Sequence, residues 1–389
     1  MNTPNKEEDS TDMLNTASST ASPKQEDNDD ENQNQNQNKQ QMTTTPEKKE
    51  HTKKKKDEDR HQQQQRHSWQ RRHLPHSLTP ATITQMLLAL FTLLTTTQAT
   101  IITSHNKCDA TTKQLTCDGI TDDTTALQAA LVACVHNELV LPIGKTCIAY
   151  PLTLPSNTNL TIPTNTTLKA GPSNHWPHSP ATTHALPFLT AVKNTTNLTI
   201  TGKGTIDGSG AQWWAGLNNS PGRPHLLTLP HASNVLLENF LMLNAADINA
   251  ELHGEHYRIF GIRIRGPDYD IAPNTDGIDV QGSDFIIRGV DVQNGDDSIC
   301  IKSPSWDVLV EDSIVRQGNG LVIGTGGHTN ITNITFRNCT AQGTVFGCHI
   351  KFKDGQKGKP GVSNITFEDI TILEPTKWIN QNPISAVPV

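Results

Sequence analysis

The sequence predicts an all-β fold, a right-handed parallel β-helix (a solenoid of stacked coils) closed at its start by an N-terminal capping helix, and three observations lead there. A pattern of polar, apolar, any, apolar residues recurs from residue 233, with apolar anchors at Val235, Tyr257, Phe285, Val308, Ile334 and Ile365, spaced by 22, 28, 23, 26 and 31 residues. Four residues after each anchor stands a small or turn-forming residue: Asn239, Gly261, Gly289, Asp312, Asn338 and Asp369. These mark a bend shared by two short strands. The strands, such as Phe285-Ile286-Ile287 and Val308-Leu309-Val310, are apolar, rich in β-branched residues and too short for helices. No such coil can bury its own apolar face, whereas stacked coils share one continuous core.

Taken in order, residues 1–82 read as a disordered low-complexity tail, with Asn/Gln alternation from Asn32 to Asn38, the run Lys53 to Lys56 and the run Gln62 to Gln65. The lysine run reads as a solvated tail. Residues 83–99 hold an apolar core, Met86 to Leu94, after Arg71, Arg72 and His73 and before the small residues ending at Ala99. This is a secretory signal pattern, too short for a bilayer span of about 20 residues. The expectation is cleavage near Ala99 and a secreted protein without a membrane attachment. The long stretch upstream is abnormal for a signal and leaves open a misassigned start or an uncleaved signal anchor. Residues 100–389 form the β-helix, expected to be catalytic.

Within it, Asp122-Asp123-Thr124-Thr125-Ala126-Leu127-Gln128-Ala129-Ala130-Leu131 has helical periodicity after an acidic start. That helix should cover the open end of the coil, where core and strand edge would otherwise be exposed. Weaker repeat copies, Asn159-Leu160-Thr161-Ile162 and Asn197-Leu198-Thr199-Ile200, extend the solenoid toward the N-terminus.

Residues 1–99 carry 13 Lys+Arg against 14 Asp+Glu, which leaves 19 against 25 of the chain's 32 and 39 for the folded part. A mildly acidic domain argues against nucleic-acid binding. Cys108, Cys117, Cys134 and Cys147 form an even set of open connectivity, and nine Asn-x-Ser/Thr sequons follow residue 150. Both suit an oxidising compartment. The Asn338 sequon should lie inside an Asn/Asp ladder. Cys300, Cys339 and Cys348 leave at least one free thiol, and none has the paired spacing of a zinc site, so no metal and no cofactor are expected. The protein is expected to act as a monomer.

Asn274-Thr275-Asp276 and Gly295-Asp296-Asp297 place Asp276 and Asp297 21 residues apart, close to the coil repeat. Equivalent positions in successive coils lie about 4.8 Å apart, so three carboxyl groups should crowd together. Crowded acids cannot all ionise freely, and such a cluster suits acid and base chemistry on a sugar linkage. An isolated Asp is more often a turn residue, as Asp307 and Asp312 are read here; three with matching flanks in adjacent coils are not.

Over residues 118–384 the chain resembles the glycoside hydrolases that include polygalacturonases and rhamnogalacturonan hydrolases. The matching residues are Asp118-Gly119-Ile120-Thr121-Asp122-Asp123, Gly204-Thr205-Ile206-Asp207-Gly208 with Trp213-Trp214, Asn274-Thr275-Asp276-Gly277-Ile278-Asp279, and Gly295-Asp296-Asp297 ahead of Ile299-Cys300-Ile301-Lys302. The last two together are specific; the first two occur more widely among β-helix proteins. The resemblance implies hydrolysis of a galacturonic-acid-containing pectic backbone with inversion. Asp296 would be the general acid, and Asp276 with Asp297 would position and deprotonate the water. It also implies substrate contacts from Asn274, Lys351, His349 and Asn319. Generic spacing assigns carboxyl groups about 5–5.5 Å apart to retaining enzymes; the resemblance is followed here, since a water held jointly by both carboxylates still gives inversion.

The chain departs from the family pattern in three places. Beyond Asn382-Pro383-Ile384 the family has a further strand bearing a substrate-contacting tyrosine, whereas this chain stops at Val389, so the resemblance implies C-terminal truncation. The Gly-His-Gly of polygalacturonases is Gly318-Asn319-Gly320, and Asn319, expected to stack beside Asp296, cannot titrate. The Arg-Ile-Lys that grips a galacturonate carboxylate is His349-Ile350-Lys351, which keeps a cation at Lys351 but lacks the guanidinium fork. His328 could replace the missing imidazole only if its loop folds back. The departures at Asn319 and His349 tilt the substrate toward rhamnogalacturonan or xylogalacturonan. The competing readings are a catalytically impaired pectin-binding wall protein and a calcium-dependent lyase. Endo or exo action would depend on the loops 172–187 and 208–224.

Overall fold

In this computed structural model the described residues are 106–108, 114–182, 184–214, 222–324, 329–352 and 361–375, with the backbone of the strand Ile384–Pro388. The tail 1–82, the segment 83–99 and His328 lie outside them. Strands alternate between two long sheets of ten and fourteen strands, each strand paired in parallel with its counterpart one coil away. This is the parallel β-helix that the repeat predicts.

The anchors stack as expected: Leu198, Val235, Tyr257, Phe285, Val308, Ile334 and Ile365 are successive register partners. The rings of Tyr257 and Phe285 stack at 4.4 Å and those of Phe336 and Phe367 at 5.0 Å. The strands run longer than the apolar triplets suggested; one spans Ile278–Arg288 and the next Ile299–Glu311. Their ends are set by the bend residues Asn239, Gly261, Gly289, Asp312, Asn338 and Asp369, whose φ angles lie between 50° and 65°. Gly, Asn and Asp occupy this left-handed region at little strain. At Asn338 the amide nitrogen, the atom a glycan would take, donates to Asp312 Oδ1 at 2.7 Å.

A second ladder, Asn157, Asn197, Asn234, His256, Asp284, Asp307, Asn333 and Asn364, has φ between 52° and 62° just before the anchors. It corrects one repeat alignment. Asn197 donates to Asn157 at 2.9 Å, and Leu160 pairs with Ile200 instead of Leu198. The two Asn-Leu-Thr-Ile copies are therefore offset by two residues. A two-residue slip keeps every side chain on its own face, so hydrophobic alternation alone cannot detect it.

The first helix spans Thr124–Ala133 and buries Leu127, Ala130 and Leu131 against the strands Thr146–Ala149 and Leu152–Leu154. It begins two residues later than the periodicity suggested. Asp123 turns its carboxylate back, accepting from the backbone N–H of Thr116 and Cys117, while Asp122 accepts from Thr124 N–H. Disulfides Cys108–Cys134 and Cys117–Cys147 tie this end together. Cys300, Cys339 and Cys348 are all buried free thiols. Among the described residues no helix is long and apolar enough to cross a membrane.

Among the described glycines, Gly282 leaves the least room for a side chain between coils. At φ +138° its position leaves 1.8 Å between an added Cβ and the Gly254 carbonyl oxygen. Gly282→Ala is expected to destabilise the fold by roughly 3 kcal/mol or more, read from the denaturant midpoint; a change within experimental error would show that the coils can move apart there.

Candidate active site

The strands Ile278–Arg288, Ile299–Glu311, Leu321–Ile323 and Cys348–Phe352 start in register, with Ile278, Ile299, Leu321 and Cys348 as successive partners. The residues just before those starts therefore stack as well. Gly277 N–H donates to Asp297 O at 2.8 Å, and Asn319 N–H to Asp296 O at 2.8 Å. Two buried residues lock the turns together. Asn294 Nδ2 donates to the carbonyls of Thr275, Asp296 and Asp297 at 2.9–3.0 Å, and Thr275 Oγ1 bridges Ala272 O and Gly295 N–H.

This scaffold brings carboxyl oxygens of Asp276, Asp296 and Asp297 within 4.8 Å of one another. Their surroundings differ. Lys351 Nζ sits 2.5 Å from Asp297 Oδ2, and Asn319 Nδ2 donates to Asp297 Oδ1 at 3.0 Å and to Asp296 Oδ1 at 2.9 Å. Burial pushes the Asp297 carboxyl up, but Lys351 and these donors outweigh it and hold the group below its ordinary range. Among the described residues no cation is in contact with Asp296; burial and the neighbouring Asp297 charge raise its pKa, with Lys351 opposing them only in part. Asp276 is raised further still, by burial and then by the charges of Asp279 and Asp296. One ionised carboxylate thus faces two groups that tend to keep a proton, an arrangement that can donate one proton and accept another.

Lys302 closes the Ile299-Cys300-Ile301-Lys302 match, where no role is assigned to it. The structure pairs it with buried Asp279 and puts its ammonium 3.8 Å from Asp276. Burial pushes Asp279 up to about 6, despite Lys302. Asn294, the residue before the Gly295-Asp296-Asp297 motif, is likewise unmarked; the structure places it at the end of the strand Asp291–Asn294.

Of the expected substrate contacts, Asn274 is exposed and its amide lies 3.5 Å from Asp296 Oδ2. Asn319 stands beside Asp296 as the coil offset predicts, and also beside Asp297. Lys351 has its ammonium engaged with Asp297. His349 departs from the expectation: it is 6% exposed, its ring lies 4.2 Å from that of Phe346, and neither ring nitrogen has a partner among the described residues. Burial, and then Lys351, lower its pKa. A buried neutral imidazole is not the cation that the motif position suggests. The reason is packing: Phe346, in the turn before the strand, covers it.

Comparison with known proteins gives the same direction. A family model described as "Glycosyl hydrolases family 28" matches residues 133–384. The chain is 28% identical over 285 residues to a probable polygalacturonase of Arabidopsis thaliana, covering 70% of this chain and 60% of that protein. It is 27% identical over 300 residues to a probable exopolygalacturonase C of Neosartorya fischeri, covering 69% and 64%. The chain therefore spans less than two thirds of the length of either relative. Among solved structures, a polygalacturonase from Erwinia carotovora superposes with a TM-score of 0.57 at 25% identity, covering 66% of this chain and 78% of that one. An endo-xylogalacturonan hydrolase from Aspergillus tubingensis gives 0.58 at 26%, covering 66% and 72%. A match across most of the β-helix, together with stacked carboxylates where the motifs place them, establishes that the chain belongs to family 28 of the glycosyl hydrolases.

Proposed function

We propose that the protein is a secreted glycoside hydrolase that cleaves a galacturonic-acid-containing pectic backbone. Asp296, uncharged and hydrogen-bonded by Asn319, donates its proton to the glycosidic oxygen. Asp297, kept ionised by Lys351, takes a proton from water shared with Asp276. The observation that carries this reading is the asymmetry of adjacent carboxyl groups: among the described residues, Asp297 is in contact with an ammonium and Asp296 is not. A glycosidic oxygen leaves poorly unless protonated, and general acid–base help contributes about 10²–10⁴-fold.

Carboxyl oxygens within 4.8 Å fall on the short side of the generic spacing rule. Inversion is proposed on the ground that a single water can lie against both Asp276 and Asp297. Proton NMR of the first-formed product tests it: an inverted anomer supports the shared water, and a retained one overturns it. A reducing-sugar assay on polygalacturonan, xylogalacturonan and rhamnogalacturonan tests the activity itself. Release of reducing ends from none of them would leave the pectin-binding reading in its place. Asn319 and the buried His349 favour xylogalacturonan or rhamnogalacturonan over plain polygalacturonan. The ammonium groups of Lys351 and Lys302 already offset the cluster's negative charge, which disfavours calcium-dependent elimination.

The pH profile follows from the same charges. Activity should fall as pH rises through the elevated pKa of Asp296, which must hold its proton, and fall as pH drops through the depressed pKa of Asp297, which must be ionised. Lys351→Met removes the cation that depresses Asp297, so the acidic limb should move to higher pH. An unmoved acidic limb in the folded variant would mean that Asp297 is not the base.

A further inference from the structure

The cations that the motif reserves for a substrate carboxylate are not free here: Lys351 is engaged with Asp297 and His349 is buried and neutral. Toward the N-terminal end of the same face, charged side chains surround a cavity of about 380 Å³. His225, Ile248 and Asp276 are successive rungs, joined through Leu226 N–H to Ile248 O and Asn249 N–H to Asp276 O. Two strand spacings, about 10 Å, therefore separate His225 from Asp276, and Asp297 is one rung further on. Asp247, on its wall, is close enough to feel the charge of Asp296.

Arg223 lines the cavity with a side chain only 3% exposed. Its one acceptor is Asp247 Oδ1, at a long 3.4 Å from Nη2, and Nε and Nη1 have no partner among the described residues. A buried guanidinium so incompletely matched is costly, because each unmet charged donor loses hydration without replacement. Asp247 is a weak counter-charge, since burial, only partly offset by Arg223, pushes it up to about 6. Glu251 does not serve Arg223: it is held by His225 Nδ1 at 3.1 Å and by His253 Nε2 at 3.5 Å. Thr228 Oγ1 lies 3.3 Å from the same His225 nitrogen and adds a hydroxyl to the wall. The group that fits is a planar anion able to meet a guanidinium fork with two oxygens.

We propose that this cavity is a uronate subsite of the catalytic cleft, in which Arg223, with His225 beside it, binds the carboxylate of a sugar two coils from the bond to be cleaved. The proposal rests on the pectic reading of the carboxylate cluster, and its test separates the two. Calorimetry at mildly acidic pH compares a galacturonate tetrasaccharide with its methyl ester, using Asp296→Asn as a slow background protein. The free acid should bind roughly 10- to 100-fold more tightly than the ester, and adding Arg223→Gln should remove that preference while the ester's affinity stays the same. Arg223→Lys keeps the charge without the fork and should retain only part of it. Equal affinity for acid and ester in the background protein, or an undiminished preference in folded Arg223→Gln, overturns the subsite. Should Arg223→Gln fail to fold, Arg223→Lys decides: reduced preference supports the proposal and full preference overturns it. Hydrolysis without acid preference would sink the subsite alone; acid preference without hydrolysis would sink the activity alone.

Discussion

Asp296→Asn is expected to lower turnover on the preferred pectic polymer by about 10²–10⁴-fold, with little change in substrate affinity and no loss of folding. The substitution keeps the shape of the side chain. Its amide oxygen can still accept from Asn319 Nδ2 and from Asp297 N–H, which hold Asp296 Oδ1 at 2.9 and 2.8 Å. What disappears is the transferable proton. Because the native carboxyl is desolvated and crowded by Asp297, the variant should melt at the same temperature as the wild type or slightly above it. Reducing-end release read beside thermal denaturation makes the check. Turnover within a few-fold of the wild type would show that Asp296 is not the acid.

Phe285→Ala is expected to carry the largest stability effect, about 3–5 kcal/mol. The Phe285 ring is fully buried, stacks on Tyr257 and stands in register above Val308. Truncation leaves a cavity that neighbouring coils cannot close without shifting the strand Ile278–Arg288, and with it the turn that carries Asp276. In a solenoid each coil is held mainly by its neighbours, so the loss weakens the link between the first and second halves of the stack. Guanidinium denaturation followed by circular dichroism measures it; a loss under about 1 kcal/mol would mean that the aromatic stack is not what holds those coils together.

Much of the scaffold was legible from residues alone because a repeat in sequence becomes a stack in space. Tyr257, Phe285 and Val308 could be aligned through the turn residue four positions on, even though coil lengths vary. The slip between the copies at Asn159 and Asn197 was not legible, since a shift of two residues preserves alternation and only pairing distinguishes the registers. In the site, the offset between Asp276 and Asp297 matches one coil, so their meeting could be expected. The fate of Lys351 could not, because reaching Asp297 depends on which way a long flexible side chain points across the intervening Gly320 and Asn319 coil.

The amino-acid sequence by itself determined the coil, its stacked core and the convergence of three aspartates, because these follow from periodicity and strand spacing. Only the tertiary structure decided which of those carboxyl groups is in contact with Lys351, that Phe346 packs on His349, and that Arg223 has donors with no partner among the described residues beside a cavity. Such features depend on burial and on contacts between side chains of different coils, and no local pattern encodes them.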